Sequence, residues 1–237
     1  MNLLDLTLGT PAANLACDEA LLDWCEEGQC DGVLRFWESG EYFAVLGYAN
    51  KAASELNLEG CRRHGIPILR RCSGGGTVLQ GPGCLNYSLV LRIEGELQSV
   101  TETNCFVMQR NRDALQTLVK EKVEIGGFTD LTRGDRKFSG NAQRRRRHFL
   151  LFHGSILLQC DFKLMAQVLN APSKQPEYRA NRTHAEFLAQ LALPPDQVKE
   201  ALQKQWKVSD SLRTVPLRAI EELVRDRYSR ADWNLKF

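Results

Sequence analysis

The chain carries none of the marks of a membrane protein, a nucleic-acid-coating protein or a zinc ribbon. No apolar run approaches the ~18 residues that a bilayer-spanning helix needs. The opening MNLLDLTLGTPAANLACDEALL lacks a basic start followed by an apolar block, so a secretory leader is not expected. Charge of one sign is not in excess: 31 Lys plus Arg against 29 Asp plus Glu leaves +2, unlike the basic surplus of a dedicated DNA binder. Histidine is scarce, with four residues. His148 and His153 lie five apart in an expected strand, point to opposite faces and cannot share a metal there. The eight cysteines include no CxxC pair, which removes zinc-ribbon and thioredoxin-like readings. With no leader before them, they read as free, mostly buried thiols of a cytoplasmic protein. The GxSxG of serine hydrolases, the P-loop GxxxxGK[ST] and the dinucleotide GxGxxG are all missing. Low-complexity linkers and internal repeats are missing too, and 43% hydrophobic with 25% charged residues is ordinary globular composition.

What is present is a set of short strands among irregularly placed helices. Thr10-Pro11 is a capping hydroxyl followed by proline, and Cys17, Leu21 and Trp24 continue at helical spacing to Gly28. Residues 33–37 and 42–48 read as strands joined by a Ser39-Gly40 turn. A helix is expected over 51–64, ending at Gly65. Strands follow at 66–71 and 85–93, then a long helix over 101–122 with a threonine-capped start. Residues 137–144 and 148–158 read as a hairpin whose turn carries Arg144–Arg147. Two further helices are expected near 195–206 and 214–228, the last capped by Thr214 with Leu217, Ile220, Val224 and Tyr228 inward. The strict alternation of a doubly wound sheet is absent. The expected fold is one α+β domain over 1–237, with a mixed, largely antiparallel sheet flanked by helices.

Two segments carry candidate chemistry. The first is Arg70-Arg71-Cys72-Ser73-Gly74-Gly75-Gly76-Thr77-Val78-Leu79-Gln80. Glycines tolerate positive φ and leave no Cβ in the way, so successive backbone N–H groups can converge on an anion, and paired arginines offer forks to phosphate or carboxylate. Cys72 is the leading thiol candidate, because Arg71 beside it would stabilise a thiolate. The second is Gly134-Asp135-Arg136-Lys137-Phe138-Ser139-Gly140-Asn141-Ala142-Gln143. Regular alternation would put Lys137, Ser139 and Asn141 on one face. The Arg144–Arg147 run reads as a solvated hairpin tip from which Arg144 points inward; its free arginines are candidates for docking an acidic partner domain. His153-Gly154-Ser155 places a hydrogen-bonding histidine near the same region.

In order, Arg70–Val78, Asn86-Tyr87-Ser88, Lys137-Phe138-Ser139-Gly140-Asn141-Ala142 and His153–Leu158 resemble the signature of the lipoate–protein ligase family. Asn14–Glu19, Phe36-Trp37 and the Tyr228–Asn234 stretch extend the likeness over nearly the whole chain. The resemblance implies a catalytic domain of the biotin/lipoate ligase superfamily, class II synthetase-like, without a C-terminal accessory domain. It implies that lipoate or octanoate is activated with ATP and Mg²⁺ to an acyl-adenylate. The acyl group then passes to a lysine of a lipoyl domain or glycine-cleavage H protein. By motif position Lys137 is the catalytic residue. Arg71, Ser73, Gly74, Gly75, Gly76, Thr77, Val78, Leu79, Asn86, Asp130 and Lys137 are nucleotide- or phosphate-binding, and Asp130 is the candidate Mg²⁺ ligand. Trp37, Arg71, Gly76, Val78, Lys137, Ser139, Ala142, Arg144 and His153 are assigned to the acyl group. Nucleic acid and membrane are not expected as partners; a separate accessory-domain chain, action alone as a short ligase and loss of the activation step are alternatives left open.

The sequence departs from the family pattern at Gln80-Gly81, where His-Asp is usual, and at Phe128-Thr129-Asp130-Leu131, where Arg-Asn-Asp-Leu is usual. Two further readings stay open. Octanoyltransferases and lipoyl amidotransferases of the same fold take the acyl group from a carrier protein through a cysteine. Gly126–Arg136, where relatives place that cysteine, contains none, which turns the expectation toward the ligase, although Cys72 or Cys160 remain candidates. A non-catalytic member that binds lipoate or its adenylate is the other reading.

Overall fold

The computed structural model describes residues 1–208 and 210–237. The chain begins with β1 (Asn2–Asp5), helix α1 (Pro11–Glu26), β2 (Val33–Trp37) and β3 (Phe43–Leu46). Short helices α2 (Ala52–Glu55) and α3 (Leu58–Arg63) lead to β4 (Ile68–Arg70), β5 (Val78–Gln80) and β6 (Cys84–Arg92). The long helix α4 (Val100–Gln116) precedes β7 (Val123–Gly126), β8 (Asp130–Arg133), β9 (Arg136–Arg145) and β10 (Phe149–Leu157). The remainder holds α5 (Phe162–Val168), α6 (His184–Phe187), α7 (Pro195–Gln205), β11 (Asp210–Ser211), α8 (Leu217–Leu223), which runs into a widened π-type turn, and α9 (Ala231–Asn234).

The main sheet runs β11-β1-β2-β6-β10-β9-β8-β7 and is antiparallel except where β1 joins β2 and β11. A second sheet, β4-β3-β5, is mixed. The fold is therefore the expected α+β arrangement of a largely antiparallel sheet with flanking helices. Strand alternation divides the main sheet into two faces. On one, Phe36, Tyr87, Leu89, Leu150, Phe152 and Ile156 pack beneath α4 and α7. On the other, Val33, Val90, Phe149 and Leu151 meet α1 and α8. Further along that second face, Cys84 and Leu157 meet the small sheet, α5 and α6. Thr10 caps α1 through its side chain, with Pro11 at the first turn, as expected.

The structure differs from the sequence expectations at several boundaries. The second expected strand is shorter, Phe43–Leu46 rather than 42–48, and beyond the Ser39-Gly40 turn it lies in the second sheet. The 51–64 helix is split, because Leu56 is extended and Asn57 caps a new helix through Gly60 N–H. Ser99, rather than a threonine, caps α4. Thr214 caps nothing: α8 follows Pro216, and Leu217 is 55% exposed rather than inward.

Candidate functional site

The second face of the main sheet carries a row of small and polar residues where the two sheets approach. Three groups of residues meet there.

The first surrounds Lys137. A β-bulge interrupts β9: Leu131 faces Ser139, and Thr132 faces Lys137, leaving Phe138 unpaired. Phe138 turns into the α4 core, and Lys137 is carried to the opposite face from Ser139 and Asn141. Its Nζ lies 2.5 Å from where a Cβ on Gly140 would stand, so glycine at 140 is the space the lysine occupies. The expectation that Lys137, Ser139 and Asn141 share a face is thus corrected. Asn141 Nδ2 meets Thr129 O at 2.7 Å and Met108 Sδ at 3.5 Å. Asn141 Oδ1 accepts from Tyr87 at 2.5 Å. Ser139, assigned to the acyl group, is buried on that same far side. Lys137 Nζ pairs with Asp130 Oδ1 at 2.8 Å, and Tyr178 donates to Asp130 Oδ2 at 2.7 Å. Burial and the adjacent Asp130 raise the Tyr178 pKa, so its hydroxyl stays a donor.

Lys137, Gly140, Thr77, Val78, Leu79 and Ser155 line a cavity of about 100 Å³, closed on its other sides by Leu157, Met165, Leu169, Phe187 and Leu188. Glu55, Arg179 and His184 also line it. The wall from 169–188 was not anticipated: that stretch shows no period, and a loop that acts by covering a cavity leaves none to find.

The second group is the glycine loop. Only Gly75 of its three glycines needs positive φ (+87°), and a Cβ there would meet Arg71 Nη2 at 2.9 Å and Ala142 Cβ at 3.5 Å. Arg71, drawn to about 10 by burial, spends its fork on the loop itself: Nη2 donates to Gly74 O at 2.5 Å and Gly76 O at 2.8 Å. It therefore shapes the loop. The backbone N–H groups of Gly74, Gly75 and Gly76 have no acceptor among the described residues, which fits a phosphate-like anion. Arg70 is wholly structural: Nη1 donates to Gly47, Tyr48 and Asn50 carbonyls at 2.8–3.0 Å, and Nη2 to Asn234 O at 3.1 Å.

The third group is buried. His153 Nε2 lies 2.6 Å from Ser73 Oγ, and its Nδ1 3.1 Å from Asp18 Oδ2. Asp18 Oδ1 pairs with the fully buried Arg35 at 2.6 Å. Burial would raise the Asp18 pKa, but Arg35 and His153 hold it below its ordinary value. The chain anchors the loop to the sheet at Ser73. A parallel ladder runs from Gln80 Nε2 to Ser155 Oγ (3.0 Å) and on to Asn86 Oδ1 (2.7 Å). Gln80, in place of the family histidine, thus ties β5 to the main sheet.

Trp37 is not brought to the cavity; it is buried against Phe43 beneath Arg35. Arg144 turns inward as expected, with its guanidinium 6.0 Å from the Tyr48 ring. Arg145 and Arg146 are not free at the hairpin tip: they bind Leu97 O at 2.7 Å and Asp23 at 2.7 Å respectively. Cys72 is corrected as a thiolate: burial, then Glu19, push its thiol up to about 12. Cys160 faces Cys84, with Sγ atoms 3.0 Å apart in the core. Asp130 does not fit Mg²⁺, since both its oxygens are engaged by Lys137 and Tyr178. Among the described residues no group of three or more His, Cys, Asp or Glu side chains is placed to hold a metal.

Comparison with known proteins bears on this geometry. Octanoyltransferase LipM of Geobacillus kaustophilus is 29% identical over 95% of this chain and 94% of its own. That of Bacillus subtilis is 25% identical over 98% and 97%. Lipoate-protein ligase A subunit 1 of Thermoplasma acidophilum is 26% identical over 97% and 94%. Among solved structures, lipoate-protein ligase A bound with ATP superposes with a TM-score of 0.85 at 25% identity, covering 99% of this chain and 98% of that one. The end-to-end likeness to octanoyltransferases overturns the expectation of an ATP-dependent ligase. The catalytic-domain profile of lipoyl protein ligases A and B matches residues 10–207, and the chain belongs to that family.

Proposed function

We propose that this protein is an acyltransferase that moves an octanoyl group from a carrier-protein thioester to a lysine amine of a lipoyl domain or glycine-cleavage H protein. The observation that carries this reading is the full-length similarity to octanoyltransferases. The apolar-walled cavity with one lysine at its lining supports it.

A thioester arrives already activated, so the transfer draws on no nucleotide. The alkyl chain lies against Val78, Leu79, Leu157, Met165 and Leu169, with its carbonyl toward Lys137. The acceptor amine attacks the carbonyl carbon: a C–N bond forms and the oxygen becomes an oxyanion. The C–S bond then breaks, and the departing thiolate takes the proton lost by nitrogen. Lys137 is a compact charge placed for that oxyanion, and Asp130 with Tyr178 fixes its position. No cysteine lines the cavity among the described residues, so the donor hands its group directly to the acceptor, with no thioester on the enzyme.

The test is the intact mass of an apo lipoyl domain incubated with octanoyl carrier protein and this protein. An octanoyl-sized gain is expected, falling ~10²–10³-fold in rate with Lys137→Ala, the usual loss for one oxyanion donor. No gain with the unaltered protein overturns the reading.

A further inference from the structure

One cavity-lining cation has no carboxylate partner among the described residues. Arg179 is 6% exposed. Its Nε donates to Arg182 O at 3.1 Å, and its guanidinium stands 4.8 Å from the Phe187 ring. Neither terminal nitrogen has a hydrogen-bond acceptor among the described residues, and no carboxylate pairs with it. Glu55, the carboxylate on the same cavity lining, is held instead through Oε1 by the backbone N–H and hydroxyl of Ser173. The lysine on that lining, Lys137, has Asp130 as its ion-pair partner.

A buried guanidinium without a counter-charge is costly, and such groups persist where a partner arrives from outside. This one opens onto a space whose aliphatic and aromatic walls also carry Glu55, Thr77, Lys137, Ser155, Asn170 and His184. An apolar wall beside a guanidinium whose terminal nitrogens have no acceptor among the described residues suits an amphiphile with a negative head, seated away from the Glu55 carboxylate that Ser173 holds. We propose that Arg179 binds the carboxylate at the head of a medium-chain free acid, leaving the oxyanion of the transfer to Lys137. This rests on the acyl-cavity reading above and extends it: the covering wall supplies recognition as well as enclosure. Arg179 also selects the head group, because a neutral amide of the same chain leaves its charge unmet. Burial, then the neighbouring Arg182, lowers the Arg179 pKa, and a bound anion relieves both.

The experiment measures binding of octanoate and of octanamide by calorimetry to the unaltered protein, Arg179→Gln and Arg179→Lys. Octanoate is expected to bind the Gln variant at least about tenfold more weakly, the loss typical of one charge-assisted hydrogen bond. Arg179→Lys recovers part of the difference, and octanamide binding moves less than about twofold throughout. Melting curves of each variant confirm folding, and Arg179→Lys carries the test if the Gln variant does not fold. Equal octanoate affinity in the protein and the folded variants overturns the role of Arg179 while leaving the acyl cavity in place. Failure of both ligands to bind the unaltered protein removes the cavity reading itself, and this inference with it.

Discussion

Gly140 and Gly154 sit side by side in the middle of the sheet, and their substitution separates catalysis from folding. A Cβ at 140 would meet Lys137 Nζ at 2.5 Å and Cε at 2.7 Å. Those atoms end a flexible side chain, so the lysine swings aside and the backbone stays. Gly140→Ala is expected to lower the transfer rate by at least about tenfold while the melting temperature moves by no more than ~2 °C. A Cβ at 154 would stand 1.7 Å from Asn141 Oδ1 and 2.8 Å from Gly140 O. Neither can give way: Asn141 is held by Tyr87 and by Thr129 O, and the second contact is backbone. Gly154→Ala is expected to cost ~1–3 kcal/mol, the usual range for overpacking, a fall of several degrees for a chain of this size. Calorimetric melts beside rate measurements check both, and equal melting losses would show that Lys137 is not free to move.

At the scale of elements, what was legible follows regular periodicity and what was not follows its local failure. The β9–β10 hairpin and α1 alternate or recur as their backbones demand, and they stand where the sequence puts them. The bulge at Phe138 is invisible to alternation, because one inserted residue leaves the composition unchanged and reverses the face of everything before it. The glycines marked the loop as a candidate anion cradle, but the self-directed fork of Arg71 is a matter of distances alone. The 169–188 wall has no period at all, yet it brings Tyr178, Arg179, His184 and Phe187 to the site. Its His184 makes the wall pH-sensitive. Burial, with Arg179 nearby, lowers its pKa from 6.5 to about 4. Between those values the unfolded chain binds a proton that the folded chain refuses, so stability falls as pH drops from 6.5 toward 4 and levels off below. Urea titrations across that window are expected to show this loss, and His184→Gln to flatten its slope. An unchanged slope would place the lost protons elsewhere.

Across the whole molecule, the placement of the cysteines bears on the order of the proposed transfer. Cys17 and Cys25 lie in the packed face of α1, Cys30 is half-buried between α1 and β2 with its thiol donating to Gly32 O, Cys61 is buried within α3, and Cys105 is on the exposed side of α4, across the main sheet from Lys137. Cys72 is buried beside Tyr228, with its thiol pushed up to about 12, and Cys84 and Cys160 face each other inside the core. A thiol that carries an acyl group must ionise and must reach the donor carbonyl, and none of these is placed to do both at Lys137. Under the transfer proposed above, donor and acceptor would be bound together, the two proteins meeting over one cavity. Initial rates with both substrates varied are expected to give intersecting double-reciprocal lines, the pattern of a ternary complex. Cys72→Ala and Cys160→Ala should each keep the rate within about threefold, since they remove packing and leave the lysine in place. The enzyme quenched with octanoyl carrier protein alone should show its unmodified intact mass. Parallel lines together with an octanoyl-sized adduct that disappears in one cysteine variant would reverse the conclusion. They would mean that the core around that cysteine opens during turnover, and that the carrier of the acyl group is a residue the resting fold conceals.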